Sequence, residues 1–141
     1  MMAIEAGVDV VDCALGSLSG LTSQPNFNAM VEMMRFHKRE NVYDIRSLNQ
    51  FSTYWETVRA YYYPFESGMK GSSAEVFQHE IPGGQYSNLK SQAIALGLGN
   101  QFEEIKDRYV EVNDLFGDIV KVTPSSKVVG DMAQYMVANQ I

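Results

Sequence analysis

The residues in this sequence that could do chemistry are few. The most suggestive run is 16–25, Gly-Ser-Leu-Ser-Gly-Leu-Thr-Ser-Gln-Pro. In it the Thr22 and Ser23 hydroxyls and the Gln24 amide are adjacent hydrogen-bond donors and acceptors. A threonine in a Gly/Ser-rich loop is ordinarily a turn or cap residue. On residue types alone the turn or cap reading of Thr22 leads, and Ser23 and Gln24 could contact a ligand or simply hold the loop. Pro25 sets the entry angle of whatever helix follows.

Other candidates fall to simple geometry. His79 and Glu80 are adjacent, and on the extended segment expected over 75–81 adjacent side chains point to opposite faces. His37 has no partnered ligand near it in sequence, and no His/Cys cluster has metal-site spacing, so the chain is expected to hold no metal. Pro82-Gly83-Gly84 is not a phosphate loop, because no Gly-Lys-Ser/Thr at a strand–helix junction surrounds it. Cys13 is alone, so no internal disulfide forms, which fits a reducing, cytoplasmic compartment. It is most simply a small buried residue.

The elements that must position the loop follow from periodicity. Ala3, Ile4 and Ala6 before Gly7 read as the last turns of a helix, as though the chain starts inside a longer protein. Residues 8–14, Val-Asp-Val-Val-Asp-Cys-Ala, read as a short buried parallel strand. Asn26 caps a helix reaching His37, with Phe27, Met30, Val31 and Met34 on one face. Helix end, strand, loop, helix is one α/β unit. From about residue 40 the pattern turns helical. An aromatic-rich helix over 47–63 ends at Pro64. Then come an extended 75–81, a Pro-Gly-Gly turn, and a helix over 87–96 closed by Gly97. The clearest helix is 101–116, with Phe102, Ile105, Tyr109, Val112 and Phe116 on one stripe and Gly117 after it. Residues 118–122 read as a short strand. Thr123 caps a last helix with Pro124 at its first position, and its apolar face is Val128, Met132, Tyr135 and Met136.

Bulk properties exclude some classes. A 141-residue chain with 45% hydrophobic residues can fill one domain. Its formal charge of −6 and pI near 4.8 argue against general binding to nucleic acid, whose phosphates need clustered Lys and Arg. No stretch approaches the roughly 18–20 apolar residues of a membrane span. The N-terminus has neither the basic nor the apolar region of a secretion signal.

Three stretches together resemble the carboxyltransferase domain of biotin-dependent enzymes, the pyruvate carboxylase family most closely. They are Val10-Val11-Asp12 running into Ser19-Gly20-Leu21-Thr22-Ser23-Gln24-Pro25, then His79-Glu80-Ile81-Pro82-Gly83-Gly84-Gln85-Tyr86, and then 116–131 from Phe116-Gly117-Asp118 through Thr123-Pro124 to Asp131. With Tyr54-Trp55 and 64–68 between them, the similarity covers essentially the whole chain.

The resemblance implies an α/β fold: residues 1–39 as the last βα unit of a TIM (β/α)8 barrel, and 40–141 as a mostly helical extension after it. TIM-barrel sites lie at the C-terminal strand ends, where this loop sits. It further implies transfer of a carboxyl group from carboxybiotin to the enolate of pyruvate, giving oxaloacetate. The family's proton-shuttling threonine falls on Thr22, with Ser23 and Gln24 as candidate biotin contacts. Biotin would come on a carrier domain, because no lysine here sits in an Ala-Met-Lys-Met setting. The divalent metal (Mn or Zn), its ligands and the ATP-using module would belong to other parts of an oligomeric parent, so the chain alone is expected to be inactive. The rivals are a piece of an oxaloacetate decarboxylase or transcarboxylase, or a non-catalytic scaffold or subunit-contact module.

Overall fold

The computed structural model describes residues 1–39 and 42–141. They form two compact units, Met1–Glu66 and Ser67–Ile141.

The first unit opens with α1 (Met2–Glu5), which ends at Gly7 with φ +97°, a conformation that glycine adopts without strain. The expected strand over 8–14 does not form. The segment has no ladder, and the described residues contain no strand; Ala14 alone makes a parallel bridge, to Asn26. A parallel strand needs neighbouring strands to take its N–H and C=O groups, and the described residues contain none. α2 (Phe27–Met33) starts as predicted, with the Asn26 side chain accepting from the Ala29 N–H at 3.0 Å. It stops four residues before His37. α3 (Ile45–Tyr62) starts two residues earlier than predicted because Asp44 is its cap. The Asp44 carboxylate accepts from the Arg46 and Ser47 N–H groups and from the Ser47 hydroxyl. The Ser47 hydroxyl, then the two backbone N–H groups, hold its pKa below the usual carboxylate range. The helix runs out in a 3-10 turn, Tyr63–Phe65, that contains Pro64. Among the described residues of this unit, Ile4, Val31 and Met34 are the buried hydrophobics.

The second unit has a continuous core. The segment expected to be extended over 75–81 is instead a helical turn, α4 (Val76–His79), closed by Glu80 at φ +53°. His79 Nδ1 accepts the Ile81 N–H at 2.9 Å. That local bond turns the chain and delivers Ile81, 1% exposed, into the core. Pro82-Gly83-Gly84 is no free turn. Pro82 is the N-cap of α5 (Gly83–Ala95), which begins four residues before the predicted start. α6 (Phe102–Leu115) buries Phe102, Ile105, Tyr109 and Val112 as its stripe predicts, while Phe116 lies past the helix end and is exposed. Residues 118–122 are not a strand: Asp118 is left-handed, and Asn113 Nδ2 donates to its carboxylate at 2.7 Å.

α7 (Ser125–Asn139) takes Pro124, after a cis peptide bond, as its N-cap, not Thr123. Its buried face is also turned from the predicted one. Val129, Gly130, Ala133, Met136 and Val137 are inside, whereas Val128, Met132 and Tyr135 are exposed. Small residues decide this. A Cβ at Gly130 would sit 2.7 Å from Gln85 Nε2 and 3.0 Å from Leu89 Cδ1, so at this point the side-chain ends of α5 lie directly against the α7 backbone.

Candidate functional site

The 16–25 loop is built as a closed ring on a polar foot. At its base the Ala14 N–H donates to the Pro25 carbonyl at 2.9 Å, and the Phe27 N–H donates to the Ala14 carbonyl at 2.8 Å. The loop therefore leaves and re-enters at one place. Its first turn is a 3-10 turn, Gly16–Leu18, in which the Ser19 hydroxyl donates to the Gly16 carbonyl at 2.9 Å.

The foot is supplied by α2 and α3. Asn28 Oδ1 accepts the Gly16 N–H at 3.0 Å, and Asn28 Nδ2 is itself held by Asn49 Oδ1 at 2.7 Å. Ser52 Oγ accepts the Ser17 N–H at 2.8 Å, and Arg59 Nη1 donates to the Ser17 carbonyl at 2.6 Å. Both polar groups of one residue's backbone are thus held by one helix. Arg59 is fixed in turn by a two-point pair with Glu66, Nε to Oε1 at 2.5 Å and Nη2 to Oε2 at 3.1 Å. Each partner strengthens the other's charge. The hydrogen bond to Arg59 lowers the Glu66 pKa, and the bond to Glu66 raises that of Arg59.

The far side of the ring is a tight turn. The Gly20 N–H donates to the Gln24 carbonyl at 2.9 Å and the Ser23 N–H to the Gly20 carbonyl at 2.7 Å. Gly20 and Leu21 both have positive φ, +76° and +51°. Leucine rarely adopts such a conformation, so the surrounding bonds must over-determine it. Thr22, Ser23 and Gln24 share this turn, Thr22 half-buried and the other two exposed. The structure brings the three residues named from the sequence onto one lobe.

Asn28, Asn49, Ser52, Arg59 and Glu66 were missed by sequence reasoning. Arg59 and Ser17 lie 42 positions apart, a pairing that no local spacing announces. One signal did exist. Asn49, Ser52 and Arg59, at spacings of three and seven, lie on one side of a helix otherwise noted for its aromatics.

The remaining candidates stand apart. Among the described residues no group of three His, Cys, Asp or Glu could hold a metal ion, and no helix is long and apolar enough to cross a membrane. His79 is buried and Glu80 exposed; Glu80 pairs with Lys121 at 2.7 Å. His37 Nδ1 accepts the Arg39 N–H at 3.1 Å. Cys13 is a half-buried free thiol.

Known proteins with this sequence and fold were found across the whole chain. Residues 76–141 match the model of the conserved carboxylase domain. The chain is 58% identical over 139 residues to the pyruvate carboxylase of Staphylococcus aureus, covering 99% of this chain and 12% of that protein. It is 47% identical over 137 residues to the mitochondrial pyruvate carboxylase of Homo sapiens, covering 96% of this chain and 12% of that protein. In structure it superposes on the carboxyl transferase domain of Rhizobium etli pyruvate carboxylase with a TM-score of 0.93 at 50% identity, covering 99% of this chain and 23% of that one. The same domain solved with pyruvate and biocytin gives 0.94, again at 50% identity and with the same coverage. The chain thus spans about an eighth of the length of the curated relatives it matches. By sequence and by fold it belongs to the pyruvate carboxylase family, matching one part of that family's carboxyl transferase domain.

Proposed function

We propose that this chain supplies the proton-handling loop of an enzyme that carboxylates pyruvate to oxaloacetate, with Thr22 as the residue that moves the proton. The observation that carries this reading is the single lobe on which Thr22, Ser23 and Gln24 sit, in a chain 50% identical to a domain solved with pyruvate and biocytin. Residues 1–39 would then be the last βα unit of a TIM barrel, with 8–14 becoming a strand once its neighbours are alongside. Residues 40–141 would be the helical extension.

The chemistry follows from the hydroxyl. Turning pyruvate into its enolate means taking a proton from its methyl group. Thr22 Oγ1 can accept that proton while passing its own onward, so it never carries a full charge and its ordinary pKa is no barrier. Biotin, when bound, supplies the carboxyl group and the place where the proton goes. The exposed Ser23 hydroxyl and Gln24 amide offer the donors and acceptors that a ureido ring needs. The lobe's amides at Gly20 and Ser23 are spent inside the turn. The divalent metal (Mn or Zn) and the ATP-using step would belong to other parts of the enzyme. The carrier domain and the rest of the barrel would be the partners, in an oligomeric cytoplasmic parent, and the chain alone would be inactive.

The test is oxaloacetate decarboxylation, with biotin added, by the full-length enzyme carrying Thr22→Ala. A loss of roughly 100-fold or more with KM for oxaloacetate little changed is expected. Rates within about twofold of wild type would reduce the loop to architecture.

A further inference from the structure

We infer that Arg59 is a positioning residue for this loop: its ion pair with Glu66 clamps the Ser17 backbone, and the clamp fixes the lobe that carries Thr22. The inference rests on the proposed role of Thr22 for its catalytic consequence, but the clamp itself is read from geometry alone.

Three observations argue that the clamp is built for placement. First, Ser17 is gripped on both sides by one helix, its N–H at 2.8 Å by Ser52 and its C=O at 2.6 Å by Arg59, so both peptide groups that flank its Cα are held. Second, the guanidinium serves two acceptors at once. Nε and Nη2 face Glu66 while Nη1 reaches Ser17, a fork that only arginine can present. Third, every step from Ser17 to the lobe is short and bonded. Ser19 Oγ ties back to the Gly16 carbonyl, and Gly20 closes on Gln24. A shift at Ser17 is passed along these bonds toward Thr22. Proton transfer requires heavy atoms within hydrogen-bond reach, and a misplacement of about 1 Å can cost roughly 100-fold in rate.

Stability alone is a weak explanation for the same contacts. The pair is partly exposed, 36% for the Arg59 side chain and 28% for Glu66, where ion pairs contribute little to folding. What it supplies is direction.

The experiment uses the full-length enzyme in five forms: wild type, Arg59→Met, Arg59→Lys, Thr22→Ala and the Arg59→Met/Thr22→Ala double variant. Glu66→Gln is a second, milder way to loosen the clamp should Arg59→Met fold poorly. Two readouts are taken. Hydrogen exchange at the Gly20 and Ser23 amides should speed up about tenfold in Arg59→Met and less in Glu66→Gln, with α3 amides unchanged. The turnover rate should fall roughly 10- to 100-fold in Arg59→Met with KM steady, Arg59→Lys lying between because one ammonium meets one partner at a time. Adding Arg59→Met to Thr22→Ala should cost less than about twofold. Unchanged loop exchange would overturn the clamp. Equal losses in both backgrounds would overturn its link to Thr22. A Thr22→Ala enzyme of full activity would sink the proposed role of Thr22, while the exchange readout would still decide the clamp.

Discussion

His79 is the residue whose burial has the plainest consequence in solution. Its Nδ1 must be unprotonated to accept the Ile81 N–H, and it is 7% exposed. Burial, and then the Lys106 charge, push its pKa below the ordinary 6.5, against the pull of Glu75 and Glu103. Above pH 6.5 the imidazole is neutral folded or unfolded, and the group adds no pH dependence. As pH falls below about 6.5 the unfolded chain takes the proton first, so stability declines until the lower folded pKa is passed. Glu75, whose pKa is lowered chiefly by its hydrogen bond to Lys106, loses its contribution only further down, through and below 4.5. Between pH 6.5 and 5 the loss should therefore belong to His79. In His79→Asn, whose Oδ1 can take the same N–H without titrating, the fall in Tm over that window should flatten. Equal slopes in both proteins would assign it elsewhere.

At the scale of elements, the α5–α6–α7 packing makes two predictions of opposite character from two residues that are both 0% exposed. Leu89 is apolar throughout and fills the space beside Gly130, so Leu89→Ala should cost about 2–5 kcal/mol in chemical denaturation. Tyr109 carries a buried hydroxyl with no hydrogen-bond partner, and burial drives its pKa up to about 12. Removing an unsatisfied polar atom is nearly free, so Tyr109→Phe should change stability by less than about 0.5 kcal/mol or raise it. A loss of several kcal/mol there would mean that the hydroxyl is bonded after all.

On the scale of the molecule, the two units differ in what they bury. Residues 67–141 hold eleven mutually packed buried hydrophobics, from Ile81 to Val137. In the first unit Phe51, Tyr54, Trp55, Tyr61 and Tyr62 of α3 are all exposed. An uncovered apolar face of that kind normally meets another surface. Residues 67–141 produced alone should unfold in one cooperative thermal transition, and residues 1–66 alone should self-associate and show none. A monodisperse 1–66 by light scattering, with a sharp transition, would show that its few buried residues suffice.

How much of this was legible beforehand depended on whether local or distant atoms decide. The α6 stripe and the Asn26 cap were readable because helix periodicity and capping act within one or two turns of chain. The three residues of the lobe were readable only as neighbours in sequence. Residues 8–14 carry a strand's composition and no strand's pairing, since ladder partners are long-range and none lies beside them here. Residues 75–81 look extended but fold as a turn, because the His79 imidazole captures a backbone N–H two residues on. The α7 face was misjudged because hydrophobicity favours Val128 and Tyr135, while the close approach of α5 favours a small residue at Gly130. The sequence by itself therefore determined the α6 stripe and the Asn26 cap, which depend on groups a few bonds apart. Tertiary structure alone decided which faces are buried and that Arg59 reaches Ser17, because those depend on which distant surfaces meet.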